Sequence, residues 1–146
     1  MNAITVSGAS MRALVISADY ADFLGQVLPH NAQFFDRVMV VTTPQDSATI
    51  SVASAIPNVE VFTTNAFTED AGTWFNKGKA MNAALDKFGY HGWLAFMDGD
   101  ILLPKDGFSG AEFRIGNLYS PRRRMSPTDT WDGTWDWSRW PIFHDV

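Results

Sequence analysis

The sequence contains no cysteine, which excludes disulfide bonds and thiolate-bound zinc. It also lacks any apolar run near ~18 residues, so we expect no membrane span. No basic segment followed by an apolar one opens the chain, so we see no secretory signal and expect a cytoplasmic protein. Basic residues are outnumbered by acidic ones, and the net charge of −5 argues against a nucleic-acid partner.

The 146 residues that are present suffice for one domain with its own core, so we expect residues 1–146 to form a single domain. Aromatic residues make up 14 % of the chain, and four of the six tryptophans lie between Trp131 and Trp140. Such a cluster is suited to stack on sugar rings, to pack on a core as a lid, or to form a surface for a partner. If it is exposed, it favours self-association.

Strand-like and helix-like segments alternate through most of the chain. Apolar runs of strand length, several rich in β-branched residues, lie at 13–17, 37–42, 59–62 and 93–97. Between them, apolar residues recur with helical spacing at 23–28, 48–55 and 79–88. This alternation predicts a three-layer α/β fold in which a mostly parallel sheet is flanked by helices on both faces.

Caps and breakers mark the ends of these elements. Asp19 or Asp22 is placed to cap the first helix, and Pro29 is placed to bend or end it. Residues 4–7 predict either a loose start or a short edge strand. The alternation stops after the fourth strand, where residues 116–120 predict a further strand within a loop-rich region.

Two aspartates, Asp98 and Asp100, follow the apolar run at 93–97, which predicts a buried strand. Charge is costly to bury without a partner, and a hard divalent cation such as Mg²⁺ or Mn²⁺ prefers carboxylate oxygens. Gly99 between them would leave room for a phosphate to approach the backbone. The alternative is an Asp-Gly turn that only ends the strand.

Polar residues follow three of the predicted strands, at 17–22, 43–46 and 98–100. The carboxyl ends of parallel strands meet at one edge of the sheet, where α/β proteins bind ligands near a change in strand order. The position of the aspartates therefore favours a site that holds a metal against a diphosphate over a plain turn.

Five segments carry a resemblance to a known family: YADFL at 20–24, LPHN at 28–31, FDRVMVVT at 35–42, FNKGKAMN at 75–82 and GWLAFMDGDILLP at 92–104. Together they resemble nucleotide-sugar glycosyltransferases of the GT-A fold, in particular the family-2-like group. The resemblance covers roughly residues 12–124. It implies a nucleotide-binding half at 12–104, followed by a loop-rich, tryptophan-rich part at 105–146.

The resemblance implies an enzyme that transfers a hexosyl or related sugar from a nucleoside diphosphate sugar, with UDP-sugar favoured, to an unknown acceptor such as a glycan. Mn²⁺ or Mg²⁺ would bridge the diphosphate to the aspartates and stabilise charge on the leaving group. Asp100 would ligate the metal directly, and Asp98 would contact the ribose or reach the metal through water. The other residues expected to face the nucleotide are Ser17, Ala18, Tyr20, Thr43, Asp46, Lys77, Lys79, Asn82 and Gly99.

The sequence departs from this family after the aspartates. Only 46 residues follow Asp100, whereas fuller members continue with an acceptor site, a catalytic base and often a metal-binding histidine. His144 is either that third metal ligand or a structural histidine. The catalytic base is unknown, with Asp132 and Asp136 as candidates. The chain is a shortened enzyme, a fragment, or a nucleotide-sugar-binding remnant or interaction module of the same fold.

Two other enzyme classes share part of this pattern. Nucleotidyltransferases that make nucleoside diphosphate sugars carry a basic, glycine-rich loop after the first strand, whereas residues 17–22 are acidic and lack glycine. Haloacid-dehalogenase-type phosphatases place a similar aspartate strand at the start of the domain, and the residues after Asp100 are too few for the rest of that fold. The arginines at 122–124 either bind a phosphate or form a solvated turn.

Overall fold

The computed structural model describes residues 4–5, 10–69, 75–125 and 133. The strands in these ranges are β1 (Ile4–Thr5), β2 (Met11–Ile16), β3 (Arg37–Thr42), β4 (Val59–Thr63), β5 (Trp93–Asp98) and β6 (Glu112–Phe113). The helices are α1 (Ala21–Asn31), α2 (Ser47–Ser54) and α3 (Lys77–Phe88), with a short 3₁₀ helix at Ala32–Phe34. None of these helices is long and apolar enough to cross a membrane.

Four of the strands form a parallel sheet in the order β4-β3-β2-β5, which confirms the predicted α/β fold. The last residue of β2, Ile16, pairs with Val41 on one side and Asp98 on the other. From β2 the chain builds outward through β3 and β4, and it then returns to add β5 on the opposite side. In sheets with such a change of direction, ligands bind outside the carboxyl ends of the two strands where it occurs, which here are β2 and β5.

Both faces of the sheet are covered because strand residues point alternately into two apolar cores. On β2, Ala13 and Val15 join the core formed with α1 and α2, whereas Leu14 and Ile16 join the core formed with α3. Every residue of β2 is buried, as expected for a central strand. The predicted helices on both faces are therefore present.

The charged residue within β2 is Arg12, which is 2 % exposed. Its guanidinium lies 4.7 Å from the centre of the Phe88 ring and donates to the carbonyl oxygens of Phe88 (2.6 Å), Gly89 (3.2 Å) and His91. A cation is favourable at the C-terminus of a helix, where carbonyl groups lack intrahelical partners. Burial, and secondly repulsion from Arg37, lower the pKa of Arg12. Arg12 thereby joins the end of α3 to the centre of the sheet.

The predicted cap of α1 and its predicted end at Pro29 are wrong, whereas a bend at Pro29 stays a prediction. Neither Asp19 nor Asp22 caps the helix, which begins without a side-chain cap. Pro29 does not end it either, because α1 continues to Asn31. Proline removes one intrahelical hydrogen bond, but the side chain of Asn31 is held by the chain that follows β5, which fixes the last turn.

β5 is an edge strand rather than the buried strand that its apolar run predicts. Phe96 is 47 % exposed, and α3 packs mainly against β2 and β3. An apolar run shows that a segment lacks polar residues, but it does not show which elements pack against that segment. The further strand predicted at 116–120 is also wrong, because β6 lies earlier in the chain. β6 pairs antiparallel with β1, so β1 belongs to this small second sheet and is not an edge of the main sheet.

Candidate functional site

Three loops lie along the carboxyl edge of the sheet: 17–20 after β2, 43–46 after β3, and 98–100, which begins with the last residue of β5. The first and third of these loops follow the neighbouring strands β2 and β5. They are in direct contact, since the backbone N–H of Gly99 donates to the carbonyl oxygen of Ile16 at 2.9 Å. All three polar clusters expected to share one edge therefore do so.

Asp46 is 6 % exposed, and its carboxylate is occupied by neighbouring groups. Oδ1 accepts from the backbone N–H of Thr49 (3.0 Å) and caps α2, while Oδ2 accepts from the N–H of Asp19 (2.8 Å) and the hydroxyl of Thr42 (2.8 Å). Burial acts to raise the pKa of Asp46, but hydrogen bonds from Thr49, Asp19 and Thr42 outweigh it and hold the pKa below its usual value. Asp46 thus joins the loops after β2 and β3, and its contact with a nucleotide stays a prediction.

The loop after β2 turns at Asp19, whose φ of 59° is the one left-handed value at a non-glycine residue in the described part of the chain. That conformation costs roughly 1–2 kcal/mol for most residues and less for aspartate, and the hydrogen bond to Asp46 holds it. The turn leaves Tyr20 half exposed, with its ring centre 5.7 Å from that of Phe23. An aromatic face is therefore available at this edge.

The two aspartates have different surroundings. Asp98 is the last residue of β5, and its carboxylate forms an ion pair with Lys77, the first residue of α3. The side chains of Asp98 and Lys77 are 44 % and 41 % exposed, and ion pairs of this kind contribute about 0–1 kcal/mol. Asp100 is exposed, and no hydrogen bond or ion pair to its carboxylate occurs within the described residues. Asp100 is therefore open to a ligand.

Gly99 is buried against the end of β2. A Cβ on Gly99 would lie 2.7 Å from Oγ and 2.8 Å from Cβ of Ser17. Ser17 thus occupies the position beside Gly99 where a Cβ would lie, and glycine is required here for close packing of two strand ends. Contact of Gly99 with a phosphate stays a prediction. Ser17 is 2 % exposed, and its hydroxyl has no hydrogen-bond partner within the described part of the chain.

Three residues in the first turns of α3, namely Lys77, Lys79 and Asn82, are predicted to face the nucleotide, and one of them lies beside the aspartates. Asn76 caps the helix by accepting from the N–H of Lys79 at 2.9 Å. The Lys77 side chain reaches Asp98, whereas the Lys79 side chain pairs with Glu69 at 3.1 Å. Asn82 is exposed in the next turn. Contacts of Lys79 and Asn82 with a nucleotide stay predictions.

No three His, Asp or Glu side chains come together to hold a metal in ranges 4–5, 10–69, 75–125 and 133. Asp98 and Asp100 nevertheless supply hard oxygen donors, and Mg²⁺ is commonly bound by one or two carboxylates together with substrate phosphates. The pair fits a cation that arrives with a diphosphate. His144, the predicted third ligand, and the candidate bases Asp132 and Asp136 lie outside the described residues.

Sequence reasoning missed Asn31 as a neighbour of the site. Its buried side chain bonds to the backbone of Ile101 and Leu103, directly after the aspartates. The available signal was a polar residue at the end of an amphipathic helix, in the LPHN segment at 28–31. That signal gives no indication of which distant segment the amide contacts.

A parallel sheet covered on both faces, with carboxylates at its change of strand order, is typical of α/β domains that bind ligands at the carboxyl edge of the sheet. No protein-family model and no curated protein matches the chain. Among solved structures it is similar to mannosyl-3-phosphoglycerate synthase from Rubrobacter xylanophilus, with a TM-score of 0.52 and 23 % sequence identity. The similarity covers 70 % of this chain and 34 % of that one, so this chain spans about a third of the synthase's length. The fold is thus GT-A-like.

Proposed function

We propose that this chain forms the donor-binding part of a metal-dependent glycosyltransferase, which transfers a sugar from a nucleoside diphosphate sugar, UDP-sugar above others, to an acceptor. The observation that carries the proposal is the exposed residue Asp100, which follows the Lys77–Asp98 ion pair at the carboxyl ends of β2 and β5. The fold supports it, since it is shared with a synthase whose name states that it makes mannosyl-3-phosphoglycerate.

Asp100 would hold Mn²⁺ or Mg²⁺ directly, with diphosphate oxygens as further ligands. A bound cation supplies positive charge where the diphosphate becomes more negative as the sugar leaves. Asp98 lies two residues earlier on the strand, where its partial exposure allows it to bind the ribose or a metal-bound water. The two carboxylates therefore have separate roles in the proposal.

Lys77 would bind the diphosphate. Its ion pair with Asp98 is exposed and contributes little free energy, so the ammonium group can turn to a phosphate oxygen at small cost. The first N–H groups and the dipole of α3 lie at the same place and favour an anion. The diphosphate would thus be bound by the ammonium group of Lys77 and by the N-terminus of α3.

The base and ribose would lie over the loops after β2 and β3. Tyr20 offers an exposed ring, and stacking between an aromatic ring and a base contributes about 1–3 kcal/mol. Ser17, Ala18 and Thr43 line the same edge beside it. The hydroxyl of Ser17 has no hydrogen-bond partner within the described part of the chain, and it is buried against Gly99.

Calorimetric titration with UDP and with GDP, each with and without Mn²⁺, tests the proposal. We expect metal-dependent binding of one nucleotide that weakens at least ten-fold in Asp100→Ala, because the direct metal ligand is lost. Asp106→Ala is the matched control, since Asp106 is also an exposed aspartate in the segment after β5. Equal binding by wild type and Asp100→Ala, or no binding of either nucleotide, would refute the metal site.

Turnover needs a separate measurement. Release of UDP or GDP from a set of nucleotide sugars, in the presence of Mn²⁺, reports donor hydrolysis without an acceptor. Release that depends on Asp100 supports an active transferase. Metal-dependent binding with no release for any donor would instead identify the alternative, a nucleotide-sugar-binding module of the same fold.

A further inference from the structure

The last turn of α1 is bonded to the chain that follows the aspartates. The side chain of Asn31 is 3 % exposed; its Nδ2 donates to the carbonyl oxygen of Ile101 at 2.6 Å, and its Oδ1 accepts from the N–H of Leu103 at 2.9 Å. The next residue back, His30, lies with Nε2 3.2 Å from the carbonyl oxygen of Pro104. Residues 101–104 are thus held along their backbone by two side chains of one helix.

These contacts fix one side of the turn that carries Asp100. The other side is fixed by β2, because the N–H of Gly99 donates to the carbonyl oxygen of Ile16 and Gly99 itself packs against Ser17. Asp100 therefore lies between two anchored backbone positions. Its carboxylate remains exposed and has no partner within the described residues.

An amide is the one neutral side chain of this size that can make both bonds, since it offers a donor and an acceptor on the same planar group. A carboxylate at position 31 could accept from Leu103 but could not donate to Ile101. An apolar residue would lose both hydrogen bonds, one of them buried, and a polar group that loses its partner in a buried place is costly. Asn31 thus matches the backbone of the segment that it contacts.

We propose that Asn31, assisted by His30, is a positioning residue that sets the location of Asp100 for a metal-bound diphosphate. This inference rests on the proposed function. Its physical basis is preorganisation: a ligand group held in place before binding loses less freedom when the ligand arrives. If the 101–104 segment were released, Asp100 would no longer be held in the position that the metal-bound diphosphate requires.

The test compares Asn31→Ala with Asn58→Ala. Asn58 is the matched control because its Nδ2 also donates to two backbone carbonyls at 2.9 Å each, and these belong to Ala32 and Phe35 rather than to residues 98–104. Both variants lose side chain–backbone hydrogen bonds in the same region. Urea unfolding of each variant verifies that it is folded and shows how far its stability has fallen.

Calorimetry with UDP or GDP then separates positioning from stability. We expect Asn31→Ala to lose at least ten-fold in affinity with Mn²⁺, with little change in metal-free affinity, and Asn58→Ala to bind as wild type does. Hydrogen exchange at the amides of Ile101 and Leu103 should become faster in Asn31→Ala alone. If Asn31→Ala does not fold, His30→Ala serves as the milder variant, with an expected loss of about three-fold.

Wild-type affinity in a folded Asn31→Ala variant would overturn the positioning role, as would an equal loss in Asn58→Ala. Both outcomes leave the proposed function standing. If wild type itself binds neither nucleotide with Mn²⁺, the proposed function is wrong and the positioning role falls with it, whatever hydrogen exchange shows. The two failures are therefore distinguished by the wild-type titration.

Discussion

Replacing Gly99 by alanine tests why a glycine separates the two aspartates. The added methyl carbon would lie 2.7 Å from Oγ of Ser17, 2.8 Å from its Cβ and 3.4 Å from the carbonyl oxygen of Ile16. The φ of Gly99 is not in the left-handed region, so alanine brings contact strain but no backbone strain. Overpacking of this kind costs about 1–3 kcal/mol, and we expect a destabilisation of about 2 kcal/mol.

Ser17 provides a matched second site for this test. Ser17→Gly removes both atoms that the new methyl group would meet, at a cost of about 0.5–1 kcal/mol from added chain flexibility. The double variant should therefore be more stable than the sum of the two single effects predicts, with a coupling energy of about 1–2 kcal/mol. Ser17→Ala removes Oγ but keeps Cβ at 2.8 Å, so it should restore less of the lost stability.

Urea unfolding followed by circular dichroism gives the free energy of unfolding for each protein, provided that the m-value is unchanged. Additive effects of Ser17→Gly and Gly99→Ala would refute the packing explanation. So would a cost below about 0.5 kcal/mol for Gly99→Ala, since that is the usual range for surface changes. A fully stable Gly99→Ala variant with weakened nucleotide affinity would instead support the original expectation of open space for a phosphate.

Two further variants test contacts on either side of the sheet. Arg12→Met should lower the free energy of unfolding by about 3 kcal/mol, because three carbonyl groups lose a charged donor. Its control is Arg37→Met, which removes an exposed cation 5.1 Å from the same Phe88 ring. Arg37→Met should lower the free energy of unfolding, measured in urea, by less than about 1 kcal/mol. Asp46→Asn should cost about 1–3 kcal/mol at pH 7, because an amide cannot accept from both Asp19 and Thr42 through its nitrogen. The folded-state pKa of Asp46 is lowered, so its contribution is complete above the unfolded pKa of about 4 and is lost as the pH falls through the folded value. The stability difference between wild type and Asp46→Asn should therefore shrink below about pH 4, and a difference that stays constant with pH would contradict this assignment.

Local patterns in the sequence predict much of this fold because the strands and helices are short and strongly patterned. The β-branched run at 37–42 is a strand with those bounds, and the apolar face and terminal glycine of α3 are where periodicity places them. The alternation of elements then limits the topology to a parallel sheet with covered faces. The polar clusters at one edge follow from that topology alone.

Other features depend on contacts between distant parts of the chain, and no local pattern reports them. Arg12 lies in an apolar strand, where its role depends on the carbonyl groups at the end of α3. Asn31 finds its partners beyond β5, and the close packing of Gly99 depends on Ser17, which follows a different strand. The edge position of β5 is likewise set by strand order, which periodicity does not encode.

The end of β5 explains why the two carboxylates are not equivalent. Asp98 is still within the strand, in register with Ile16, and its side chain meets Lys77 on the α3 side of the sheet. Asp100 lies beyond the strand, in a turn, where its side chain is exposed. A cation binding alone would have to compete with Lys77 for Asp98. A cation that arrives with a diphosphate would offer Lys77 a phosphate in exchange, and the exposed ion pair that is given up contributes at most about 1 kcal/mol. In the proposed function, nucleotide and metal should therefore each bind more tightly in the presence of the other, by the same factor.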